Sequence, residues 1–117
     1  MPPDPDGPDP RGRLVADRAA LLDRLAGMED DMARLVAASV DSNADDEHDP
    51  EGQTIAYERS QLAALTAGLR AHLGELDAAL VRVEEGRYGL CTVCGEPIPD
   101  GRLEARPTAR TCVRHAG

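Results

Sequence analysis

The chain has 117 residues, with 22 acidic side chains against 13 basic ones, every one of them arginine, and a formal net charge of −9. That is one domain's worth of sequence, and a chain so acidic is repelled by phosphate backbones, which disfavours non-specific nucleic-acid binding. There is no Phe or Trp, and Tyr57 and Tyr88 are the only aromatics, so the core falls to Leu, Val and Ala, which suit helices packed in pairs. No apolar run follows a basic N-terminal segment, and none reaches the ~20 residues needed to span a bilayer. Neither a signal peptide nor a membrane partner is therefore expected, and the cytoplasm is the expected location.

Residues 2–10 hold five prolines in nine positions. Proline fits neither a helix interior nor a paired strand, so residues 1–12 are expected to form a disordered or extended tail. From about Arg13 to Val40 the pattern turns helical. Leu14, Leu21, Leu25, Met28, Met32 and Leu35 recur at heptad spacing, with Arg18 in the one gap. Gly27 lies inside this stretch and costs about 1 kcal/mol relative to Ala.

Residues 41–49 hold five carboxylates and no arginine. Asp and Asn favour turns in any case, but clustered carboxylates also suit a hard cation such as magnesium. Asp45, Asp46, Glu47 and Asp49 are the candidate partner-binding residues of this tip. Asp49 is also an N-cap, with Pro50 at the first helical position. Ile55, Leu62, Leu69, Leu76 and Val83 then recur every seven residues, Leu73 and Leu80 fill intermediate positions, and Gly86 is placed to end the helix. At ~1.5 Å per residue this helix is about 54 Å long. Neither helix can bury its stripe alone. The predicted fold is mainly α, with a long antiparallel helical hairpin over 13–86 and a small C-terminal module over 87–117.

That module carries the strongest chemical signal. Cys91 and Cys94 are separated by two residues, as are Cys112 and His115, with seventeen residues between the pairs. A tight turn aims both ligands of a pair at one point, and two pairs close the tetrahedron that structural zinc adopts. Gly95 follows the first pair, where a knuckle needs a residue without a β-carbon. The competing reading, a redox or disulfide CxxC, leaves one of three cysteines over and lacks a surrounding βαβ pattern. The expected cofactor is one structural zinc on Cys91, Cys94, Cys112 and His115, with three cysteines and a water as the alternative ligand set.

Gly86-Arg87-Tyr88-Gly89-Leu90-Cys91-Thr92-Val93-Cys94-Gly95-Glu96-Pro97-Ile98, then Arg102-Leu103-Glu104-Ala105-Arg106-Pro107-Thr108-Ala109 and Cys112, resembles the zinc-finger signature of the DksA/TraR family. The resemblance implies a bacterial transcription regulator, not an enzyme, that binds RNA polymerase directly and without DNA contact. It also implies a hairpin that enters the polymerase secondary channel and brings its tip near the catalytic magnesium. Some members act with ppGpp, a dependence that no residue pattern here supports. Two departures stand out. The family signature usually ends on a second cysteine pair, where this chain has His115. At the tip, better-known members carry Asp-x-x-Asp-x-Ala, whereas Asp49 is followed by Gly52 and Thr54 at the later positions.

Two other functions compete. One is a zinc-stabilised helical adaptor for another protein. The other is a cleavage-type polymerase factor whose tip carboxylates hold a second metal. Arg102, Arg106, Arg110 and Arg114 recur every four residues, yet nearby acids largely cancel them and no aromatics interleave for base stacking, so sequence-specific DNA binding is not expected.

Overall fold

The structure is a computed structural model that describes residues 9–42 and 50–116. The tip residues Asp45, Asp46, Glu47 and Asp49, with His48 among them, lie outside the described residues. Helix α1 spans Pro10–Ser42, α2 spans Pro50–Glu84, α3 spans Asp100–Ala105, and a 3₁₀ turn covers Val113–His115. No helix among the described residues is long and apolar enough to cross a membrane.

Helix α1 starts at Pro10, three residues before Arg13, where the sequence pattern turns helical. The reason is local: the Asp9 carboxylate accepts a hydrogen bond from the Arg11 N–H at 3.1 Å, and Pro10 takes the first helical position, where a missing N–H costs nothing. Residues 10–12, expected in the tail, are therefore helical. Replacing Asp9 with Ala should lower stability by about 1 kcal/mol in urea unfolding, while Asp9→Ser should leave the midpoint nearly unchanged.

Helix α2 ends as its sequence predicts. Gly86 adopts φ +72°, the left-handed conformation that costs glycine least. The Arg87 N–H bonds the Arg82 carbonyl at 2.8 Å and the Gly86 N–H bonds that of Val83 at 3.1 Å. This double closure satisfies carbonyls that a helix end leaves unpaired.

By contact density the chain divides into two compact units, cut across both long helices rather than at residue 86. One comprises residues up to Ala19 together with Leu73 onward, and the other Ala20–His72.

In the Ala20–His72 unit the helices run antiparallel, since Met28 faces Thr66, Glu29 pairs with Arg70, and Ser39 meets Arg59. Leu21, Leu25 and Ile55 are buried, while Met28, Met32, Leu35, Leu62 and Leu69 are half-buried. The heptad pattern places all eight on one seam. Thr66 occupies a seam position that the leucine pattern skips. Its hydroxyl donates to the Leu62 carbonyl one turn back, at 2.8 Å, which satisfies a polar group on a packed face.

In the other unit Leu14, Leu76 and Ala79 are the most deeply buried side chains. Arg18, the gap in the α1 seam, is half-buried, and its Nε donates to Asp77 at 2.7 Å. Arg11 pairs with Glu84. Both pairs are largely exposed and contribute little to stability, but their order again sets α1 against α2 antiparallel. Arg13 donates to the Glu104 carbonyl at 2.7 Å and the Tyr88 hydroxyl to that of Pro107 at 2.8 Å. These bonds tie the C-terminal segment to the helix bases.

Candidate metal centre

The first knuckle is a tight backbone loop. Leu90 and Pro97 form an isolated antiparallel bridge, the Cys91 N–H bonds the Glu96 carbonyl at 2.8 Å, and the Gly95 N–H returns to the Cys91 carbonyl at 2.9 Å. Closing so short a loop takes φ +77° at Gly95, a region that side chains with a β-carbon rarely enter. The second knuckle is the 3₁₀ turn. Its His115 N–H bonds the Cys112 carbonyl at 3.0 Å, which carries the imidazole back beside the Cys112 sulfur. A bond from the Thr92 N–H to the Arg110 carbonyl, 2.8 Å, ties the two knuckles together. Beneath them Cys91, Ile98 and Cys112 form a buried cluster against which Leu103 packs.

The loops bring the four predicted side chains together, with every ligand atom within 4.8 Å of the others. Cys94 and Cys112 sulfurs stand 3.8 Å apart. His115 Nδ1 is 3.2 Å from the Cys112 sulfur and 3.7 Å from that of Cys91. A tetrahedron with zinc–sulfur bonds of about 2.3 Å and a zinc–nitrogen bond of about 2.0 Å has edges of about 3.8 Å between sulfurs and about 3.5 Å from sulfur to nitrogen. The donor set fits one structural zinc.

The electrostatics favour thiolate at Cys91 and Cys112. Burial pushes the Cys91 thiol up, but N–H groups of Cys112, Cys94 and Val93 outweigh it and bring its pKa down to about 5. Burial raises Cys112 as well, and the His115 ring overrides it to leave the thiol below its ordinary value. Cys94 moves the other way. Although the Glu96 N–H lowers it, burial and the neighbouring sulfurs raise it on balance. His115 is raised, first by Cys112 and then by Cys91, since two sulfurs stabilise the imidazolium. Metal loading therefore competes with proton binding at Cys94 and His115.

The four arginines at four-residue spacing do not share a helical face. Arg102 lies in α3, Arg106 at its C-cap, Arg110 in irregular chain and Arg114 in the 3₁₀ turn. Arg102 Nε is engaged by the Thr111 carbonyl at 3.0 Å. Sequence reasoning missed Arg82, a charged residue only 7% exposed. Its one-residue offset from the seam residue Val83 was the only signal.

The family model of the prokaryotic DksA/TraR C4-type zinc finger matches residues 86–114. An uncharacterized protein of Aquifex aeolicus is 35% identical over 104 residues, covering 89% of this chain and 69% of its own length. The RNA polymerase-binding transcription factor DksA of Caulobacter vibrioides is 54% identical over 44 residues, which is 38% of this chain and 31% of that protein. Apart from the Aquifex protein, the chain spans less than half the length of the curated relatives it matches. Among solved structures, transcription factor DksA2 from Pseudomonas aeruginosa superposes with a TM-score of 0.75 at 28% identity, covering 90% of this chain and 75% of that one.

Proposed function

Because the chain belongs to the DksA/TraR zinc-finger family, we propose that it is a non-enzymatic transcription regulator that binds RNA polymerase directly. The observation that carries this reading is the four-ligand cluster, all ligand atoms within 4.8 Å, built by the segment whose sequence matches the family. In this reading Cys91, Cys94, Cys112 and His115 hold the zinc, which fixes the module at 87–117 against the helix bases. The paired helices enter the secondary channel, and Asp45, Asp46, Glu47 and Asp49 act near the catalytic magnesium. The acidic chain, −9 overall, suits a channel lined with basic groups, because complementary charge speeds encounter. A polymerase partner also places the protein in the cytoplasm.

The test is co-elution of the intact, zinc-loaded chain with core RNA polymerase, repeated with the secondary channel blocked. Binding that disappears on blocking supports the reading, and binding that persists favours the adaptor alternative. Converting Asp45, Asp46 and Glu47 together to Ala should abolish the effect on initiation while leaving co-elution intact. If the same variant alters cleavage of backtracked transcripts, the cleavage-factor alternative holds instead.

A further inference from the structure

Arg82, on the last turn of α2, is the only buried charged side chain among the described residues. Its Nη2 donates to the Thr108 carbonyl at 3.3 Å, but its Nε has no acceptor on the protein. Burying an ionised guanidinium with a donor unpaired is costly. Arg82 forms the wall of a surface pocket together with Arg87, Arg110, Thr92 and Thr111, and no carboxylate lines that pocket among the described residues. Burial first, then the charges of Arg87 and Arg110, hold the Arg82 pKa below its ordinary value. Three cations thus lie within electrostatic reach of one another in a chain whose net charge is −9. Neither Arg82 nor Arg110 makes an ion pair among the described residues, while Arg87 is partly neutralised by Glu85.

We propose that the pocket formed by Arg82, Arg87 and Arg110 binds a phosphate dianion, either free or as the end of a small phosphomonoester. With Arg87 already shared with Glu85, the arginines still outnumber the carboxylates at the pocket, which favours an anion, and a phosphate engages more of their donors than a single carboxylate can. Guanidinium groups offer paired N–H donors suited to phosphate oxygens, and the Thr92 and Thr111 hydroxyls supply further donors for the remaining oxygens. This site is independent of the polymerase reading, and its test involves no polymerase.

The experiment follows the arginine Nε–Hε signals of the zinc-loaded full chain by ¹H–¹⁵N NMR at fixed ionic strength. Inorganic phosphate, glycerol 3-phosphate and sodium acetate are titrated separately. The Arg82 signal should move saturably with at least one of the two phosphates and not with acetate, the tighter ligand identifying the free or esterified source. Arg110→Ala, at an exposed position, should weaken that titration by about tenfold, whereas Arg34→Ala in the Ala20–His72 unit should leave it unchanged. The proposal is overturned if neither phosphate gives saturation, if Arg110→Ala has no effect, or if acetate or an oligoglutamate peptide binds more tightly than phosphate.

Discussion

Cys112→Ser should abolish stoichiometric zinc and, with it, the folded state of the C-terminal module. Cys112 is 5% exposed, sits in the Cys91–Ile98–Cys112 cluster, and lies within 3.8 Å of the Cys94 sulfur and 3.2 Å of His115 Nδ1. Its sulfur reaches both the second sulfur of the first knuckle and the imidazole, so its loss removes a vertex and a link between the knuckles. The cluster beneath is too small to stand alone, and in such modules metal binding and folding are one equilibrium. Elemental analysis should fall from one zinc per chain to none, and amide signals from residues 87–116 should collapse to random-coil dispersion. Retention of one tightly held zinc would sink the assignment.

The same site gives a pH dependence of definite sign. In the metal-free chain the His115 pKa is raised by Cys112 and Cys91, and a protonated imidazole cannot ligate. Zinc affinity therefore falls as pH drops, first as the raised Cys94 thiol takes up its proton and then as the raised His115 imidazole does. His115→Cys should shift the acid midpoint of zinc release to lower pH, and equal midpoints would refute a ligand role for the imidazole.

The second large effect is expected from Leu76→Ala. Leu14 is fully buried and Leu76 is 1% exposed, and these are the two largest fully buried side chains among the described residues. Leucine-to-alanine changes at such sites cost about 2–5 kcal/mol, set by how far the surroundings relax. Domains of this size carry only about 5–15 kcal/mol in total, so the urea midpoint should fall sharply. Leu65→Ala, at a position 57% exposed, should change it little. If the two variants unfold together, Leu76 is not a core residue in solution.

Much of this architecture was legible because its physics is periodic. The heptad positions from Leu14 to Leu35 and from Ile55 to Val83 are all buried or half-buried, since a stripe at that spacing has one way to leave water. Proline and glycine punctuation placed the start and end of α2 correctly. The same aspartate–proline signal at Asp9-Pro10 was overlooked because proline density argued for a tail. The meeting of Cys91, Cys94, Cys112 and His115 was readable because metal geometry constrains spacing. Arg82 was not, since its environment is assembled from α2, the loop at Thr108 and the segment around Arg110, and no local pattern records such a meeting. The four-residue rhythm of Arg102, Arg106, Arg110 and Arg114 carries no structural information for the converse reason. Spacing of four has meaning only inside an α-helix, and only Arg102 lies within one.

The bond from Arg13 to Glu104 joins positions 91 residues apart, within a compact unit that recruits both the start of α1 and everything from Leu73 onward. During synthesis the opening turns of α1 must leave the ribosome and wait, apolar stripe unshielded, until most of the polypeptide has followed. That delay exposes the nascent chain to chaperones and to premature association. Residues from Leu73 onward, made well after those turns, thus act as their clasp.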